Sequence, residues 1–104
     1  MLNEKNILIK KIGLIKASKY RNSILFSIGR SIKTPSEISK EVNIRINHVS
    51  KVLKELKGEN IVKCLNEERT KGRLYKLTEE GEEILSFLES NLKNSKNIRL
   101  SLLK

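Results

Sequence analysis

The stretch "TPSE", residues 34–37, does more than any other to limit what this chain can become. Thr34 can cap a helix N-terminus, Pro35 suits the first helical position because it has no N–H to leave unpaired, and Glu37 can reach back to the cap backbone. A helix therefore starts at residue 35, and it is short, because the pattern runs out near Val42. Asn43 follows, a residue that tolerates the left-handed conformation better than most. A second helical pattern begins almost at once. Ile46, Val49, Leu53 and Leu56 recur at i, i+3, i+7 and i+10, Val52 widens the stripe, and the run ends at Gly58 and Asn60. Residues 35–58 thus read as helix, tight turn, helix.

The flanking segments complete a small set of elements. Ser18 can cap a helix over residues 18–30, with Ile24, Leu25 and Ile28 on one face. After Ile61 the pattern turns strand-like: "IVKCL" and "RLYKL" are short, β-leaning and separated by a polar segment holding Gly72, which predicts a hairpin. Thr78 can cap a last helix, whose Ile84, Leu85, Leu88 and Leu92 share a face. The predicted fold class is mainly α with a small β-hairpin.

A chain of 104 residues is one domain's worth. Its formal charge of +10 points to a polyanionic partner, since Lys and Arg release counterions from phosphates, although the same excess can be only a solvated surface. The aromatic residues are Tyr20, Phe26, Tyr75 and Phe87, too few for a platform that stacks single-stranded bases. One cysteine excludes an internal disulfide. With one histidine it cannot make a metal site unless carboxylates or a second subunit contribute, and no cofactor is expected. There is no Asp and no nucleophile paired with a base, so the chain does not read as an enzyme. No apolar run approaches the roughly 20 residues that span a bilayer, and the expected location is cytoplasmic.

The order of elements and two motifs carry a resemblance. "SEISKEVNIRINHVSKVLKELKGENIV" is similar to the helix-turn-helix of archaeal and bacterial winged-helix regulators of the broad MarR, ArsR and PadR type, and "GRLYKLTEEGEEIL" resembles the passage that follows their wing. The resemblance covers residues 18–90 and implies a winged helix-turn-helix domain that regulates transcription by binding duplex DNA. Its recognition helix would span residues 45–57 and enter the major groove, and its wing, residues 66–73, would lie on the backbone or in the minor groove. The chain departs from the pattern at Asn43, where those families usually have Gly, and at Arg45, where they often have a capping Ser or Thr.

The residues test this independently. At about 100° per residue, the pole opposite Val49 falls on Asn47, Lys51, Lys54 and Gly58, with Ser50 and Lys57 to one side and His48 to the other. Asn47 suits an adenine edge, Lys51 a guanine or phosphate, Ser50 a base or the backbone, and Arg45 a phosphate. His48 is either a DNA contact or a polar neighbour. In the wing, Arg69, Lys71 and Arg73 surround Gly72, arranged for a phosphate backbone or a narrow A·T-rich groove, or else for an ordinary turn. Glu79, Glu80, Glu82 and Glu83 follow closely; they are expected to favour the positive end of the last helix rather than to form a site. Cys64 reads as a small buried residue rather than a redox sensor.

Residues 1–17 and 91–104 are expected to be helical extensions. Their apolar residues, Ile7, Leu8, Ile9, Ile12, Leu14 and Ile15 on one side and Ile98, Leu100, Leu102 and Leu103 on the other, suggest pairing across a two-fold axis as a homodimer. The alternatives are packing within the chain and, less economically, a helix lying on a membrane. A winged helix used for protein contact, as an adaptor of transcription or replication machinery, is the competing function. A small-molecule effector is unknown.

Overall fold

The computed structural model describes residues 4–103, with side chains described for residues 5–92. Its elements in chain order are α1 (Glu4–Lys16), α2 (Lys19–Ile28), α3 (Pro35–Val42), α4 (Ile46–Gly58), β1 (Val62–Cys64), β2 (Tyr75–Leu77) and α5 (Glu79–Leu103). The architecture is mainly helical with one antiparallel hairpin, as predicted.

Local chemistry sets the boundaries. The Ser18 hydroxyl accepts from the Arg21 N–H at 3.3 Å and caps α2. At α3 the capping box is complete: the Glu37 N–H donates to Thr34 Oγ1 at 3.2 Å, and the Thr34 N–H donates to Glu37 Oε1 at 2.9 Å. Those bonds hold the Glu37 carboxyl below its usual range. Asn43 ends α3 in the left-handed region at φ 55°, ψ 46°. Ser39 then fastens the turn, its hydroxyl donating to Ile44 O while its carbonyl accepts from the Asn43 and Ile44 N–H groups.

The core lies where α2, α4 and α5 meet the hairpin. Ile24, Leu25, Ile28, Ile38, Val49, Leu53, Leu56 and Ile84 are fully buried, each worth about 2 kcal/mol relative to exposure. α1 joins this core from the outside of α2 and α5: Ile12 and Ile15 are buried, with Leu8 and Leu14 packed against them. The apolar residues of α1 are therefore used partly within the chain. Ile98, Leu100, Leu102 and Leu103 lie outside the residues whose side chains are described.

Two positions depart from the periodic reading. Leu92, assigned to the buried face of the last helix, is 53% exposed, and Ile46, assigned to the stripe of α4, is 45% exposed. Periodicity gives the side of a helix on which a residue lies, but both residues border open grooves, Ile46 the one between α4 and the wing and Leu92 the one beside Phe26, and are only partly covered there.

The hairpin pairs Val62 with Leu77, Lys63 with Lys76 and Cys64 with Tyr75. Tyr75 also bridges to Lys33 on its other side, an addition not legible in the sequence. Behind the hairpin, α5 is docked through Thr78 and Gly81. The Thr78 N–H donates to Ile61 O at 3.0 Å, its hydroxyl donates to Asn60 O at 2.7 Å, and the same hydroxyl accepts from the Gly81 N–H at 3.0 Å. Gly81 lies so close to Ile61, the residue before β1, that a Cβ there would stand 2.2 Å from Ile61 O.

Candidate nucleic-acid interface

α4 runs from Ile46 to Gly58, one residue later at each end than the 45–57 expected. Arg45 occupies the cap position and makes no side-chain cap bond, because a guanidinium cannot accept from the first N–H groups. Its side chain is exposed instead. Val49, Val52, Leu53 and Leu56 anchor the helix inward, and this turns Asn47, His48, Ser50, Lys51, Lys54 and Lys57 outward, all exposed.

The outward face has two flanks. Ile46, Ser50, Lys54 and Lys57 line one side of a groove of about 740 Å³, whose far wall is the wing at Thr70, Lys71, Gly72 and Arg73 and whose end is the first turn of α3. On the other flank His48 and Lys51 share a shallow depression with Tyr20 and Arg21. The His48 and Tyr20 rings lie 5.7 Å apart between centroids, tilted by 40°. Tyr20 thus extends the surface onto α2. Its isolated position in the α2 sequence gave no signal of this.

The wing loop is braced from within. Asn66 holds both ends: Oδ1 accepts from the Leu74 N–H at 2.8 Å, and Nδ2 donates to Gly72 O at 3.2 Å. Gly72 itself takes a left-handed φ of 67°. Arg73 does not project from the tip. Its Nη2 donates to Glu67 O at 3.1 Å and its Nε to Arg69 O, so the guanidinium straps the loop. Arg69 and Lys71 remain exposed. Glu67 is paired with Lys57, which ties the wing to α4. That hydrogen bond and charge hold the Glu67 carboxyl below its usual range, with a smaller contribution from Arg73, and Glu67 in turn raises Lys57.

Carboxylates elsewhere are also engaged. Glu55 accepts from Arg21 at 2.8 and 3.1 Å, and the same guanidinium donates to Leu14 O at 3.2 Å. Glu41 pairs with Lys33 at 2.6 Å, Glu80 with Lys11 at 2.8 Å and Glu89 with Arg30 at 3.0 Å. By contrast, among the described residues the side chains of Arg45, Lys51, Lys54, Arg69 and Lys71 make no hydrogen bond or ion pair within the chain. Among the same residues Lys5, Lys10, Lys16, Lys19, Lys40, Lys63 and Lys76 are also unpaired, but at α4 and the wing two such cations, Lys54 and Lys71, line one groove.

This arrangement of helix-turn-helix and braced hairpin agrees with the family comparison: a model described as winged helix-turn-helix matches residues 16–96. The chain belongs to the winged helix-turn-helix family. No curated protein matches the sequence. Among solved structures, TubR bound to 24 bp of tubC, from Bacillus thuringiensis serovar israelensis pBtoxis, superposes with a TM-score of 0.72 at 10% identity, over 88% of this chain and 97% of that one. NMB1585, a MarR family regulator from Neisseria meningitidis, gives 0.71 at 21% identity, over 95% and 71%. The homodimeric winged helix-turn-helix DNA-binding domain of Mb0332 from Mycobacterium bovis, a possible ArsR-family regulator, gives 0.63 at 17%, over 88% and 82%. At these identities the likeness is one of fold. Within this winged-helix chain, the described residues contain no group of three or more His, Cys, Asp or Glu placed to hold a metal ion. No described helix is long and apolar enough to cross a membrane.

Proposed function

We infer that the chain is a transcriptional regulator that binds duplex DNA sequence-selectively, with α4 in the major groove and the wing on the backbone or in the minor groove. One observation carries this reading: Arg45, Lys51 and Lys54 at α4 and Arg69 and Lys71 in the wing are exposed and unpaired, while the neighbouring carboxylates Glu55 and Glu67 are tied to Arg21 and Lys57. Asn47, Ser50 and Lys51 are the base readers, and Arg45, Lys54, Arg69 and Lys71 the phosphate contacts. His48 borders the face beside Tyr20, and Arg73 serves by shaping the tip. The TubR structure, which contains DNA, supports the assignment by likeness of fold.

The reading extends to a homodimer. α5 is 25 residues long, about 37 Å, and its last buried position among those described is Leu88. Beside it Phe26, Leu88 and Leu92 border a groove of about 450 Å³, next to an exposed Phe87. A second copy packed there would set two α4 helices on half-sites about 34 Å apart. The Mb0332 domain, itself homodimeric, supports this.

Selecting bound sequences from a random duplex pool tests the whole reading. A symmetric motif is expected, with affinity falling steeply as salt rises. Binding that ignores salt, or no enriched motif, would favour the protein-contact adaptor instead. Sedimentation at micromolar concentration tests the dimer, which a purely monomeric protein would exclude.

A further inference from the structure

The i, i+3, i+7 spacing counts Ile46 with the core, yet it is 45% exposed while Val49, Leu53 and Leu56 of the same helix are fully buried. It occupies the first turn of α4 on the rim of the wing groove, in line with Ser50 one turn on and Lys54 two turns on. Its chain neighbours on the exposed face are Arg45 and Asn47. Leu92, also exposed, lines the groove assigned to a second copy, and exposed Phe87 is the chain neighbour of Leu88 in that lining; Ile46 is on α4, the helix assigned to DNA. Core packing therefore accounts for only part of this side chain.

A branched hydrocarbon cannot read hydrogen-bond donors or acceptors. The apolar feature that base pairs present in the major groove is the thymine 5-methyl group. Recognition helices of this type contact base edges with their N-terminal residues, and Ile46 is the first residue of α4. We propose that Ile46 is a specificity-determining residue that packs against a thymine 5-methyl group, beside the hydrogen-bonding readers Asn47 and Ser50. This rests on the DNA-binding reading above. The methyl and the side chain leave water together, so the contact discriminates thymine from cytosine by apolar burial.

A uracil scan tests it. In a duplex recovered from the random pool, each thymine is replaced in turn by deoxyuridine, which removes only the methyl group. The native protein is expected to lose about fourfold in affinity at one thymine per half-site, the worth of one buried methyl-sized group. Ile46→Ala should be insensitive to that replacement, and Ile46→Val should keep part of the sensitivity. Native affinities unchanged at every uracil would overturn the proposal without any variant, and so would a sensitivity that persists in Ile46→Ala. Failure to bind any duplex would overturn the DNA-binding reading itself, whereas selective binding without a uracil effect overturns only the role of Ile46.

Discussion

The wing tip and the start of α5 are only a few residues apart in the chain, and both are crowded with charge, yet the charge is used differently in each. At the start of α5 Glu80 is part of the fold, held by Lys11 and Asn60, which keep its carboxyl below the usual range, and Thr78 and Gly81 seat the helix on the backbone of Asn60 and Ile61, just before β1. At the wing, Asn66 and Arg73 brace the loop from inside and leave Arg69 and Lys71 facing solvent. Charge density alone therefore does not mark a binding site. What separates the two regions is that Glu80 finds partners inside the molecule and Arg69 and Lys71 do not.

Substitutions should keep the two regions apart. The largest effect is expected at Gly81: in Gly81→Ala the new methyl meets Ile61 O, and the shift it forces costs about 3 kcal/mol. Denaturant unfolding would show a much lower midpoint, and an unchanged one would mean that α5 is not seated on backbone. Next, Asn47→Ala and Lys51→Ala should relax base preference by about 2 kcal/mol at one position, with unfolding little altered. Lys71→Ala should weaken binding to all sequences alike and reduce the salt slope by about one. Equal losses on every sequence for all three variants would erase the division between readers and phosphate contacts. Asn66→Ala, which removes the loop's own bonds, should cost about 1 kcal/mol of affinity while the core amides keep their hydrogen-exchange protection.

The smallest effect concerns pH. The folded Glu67 carboxyl titrates below its ordinary value, so the tie to Lys57 is fully present above that value and is lost as pH falls through the depressed one. An acid titration followed at the amides of residues 66–73 should show this release in the native chain and not in Glu67→Gln.

Much of the frame was legible because it rests on local chemistry. Thr34 with Glu37, Ser18, Asn43 and Thr78 each carry a cap or turn that can be read from a few neighbouring residues. The polar face of α4 was legible from period alone. Contacts that close through space were not. Nothing local to Gly81, set among Glu79, Glu80, Glu82 and Glu83, announces that it packs against the Ile61 backbone. Arg73 looked like a third tip cation, but the loop turns it onto Glu67 O and Arg69 O. Nothing in the spacing of Lys57 and Glu67 announced their pairing, and the exposure of Ile46 depends on how far the wing stands from α4.

Ile61 joins α4 to α5 through both groups of its peptide backbone, with its side chain buried in the core they share. Its N–H donates to Leu56 O at the end of α4, at 2.8 Å, and its carbonyl receives Thr78 and faces Gly81 at the start of α5. A joint of peptide groups has little of the angular play that long side chains allow. If two copies meet along α5, the separation of their reading helices is set at this joint, and it acts as a fixed caliper. An operator with a base pair added between its half-sites would then have to bend or twist to fit, because the protein has little slack to offer.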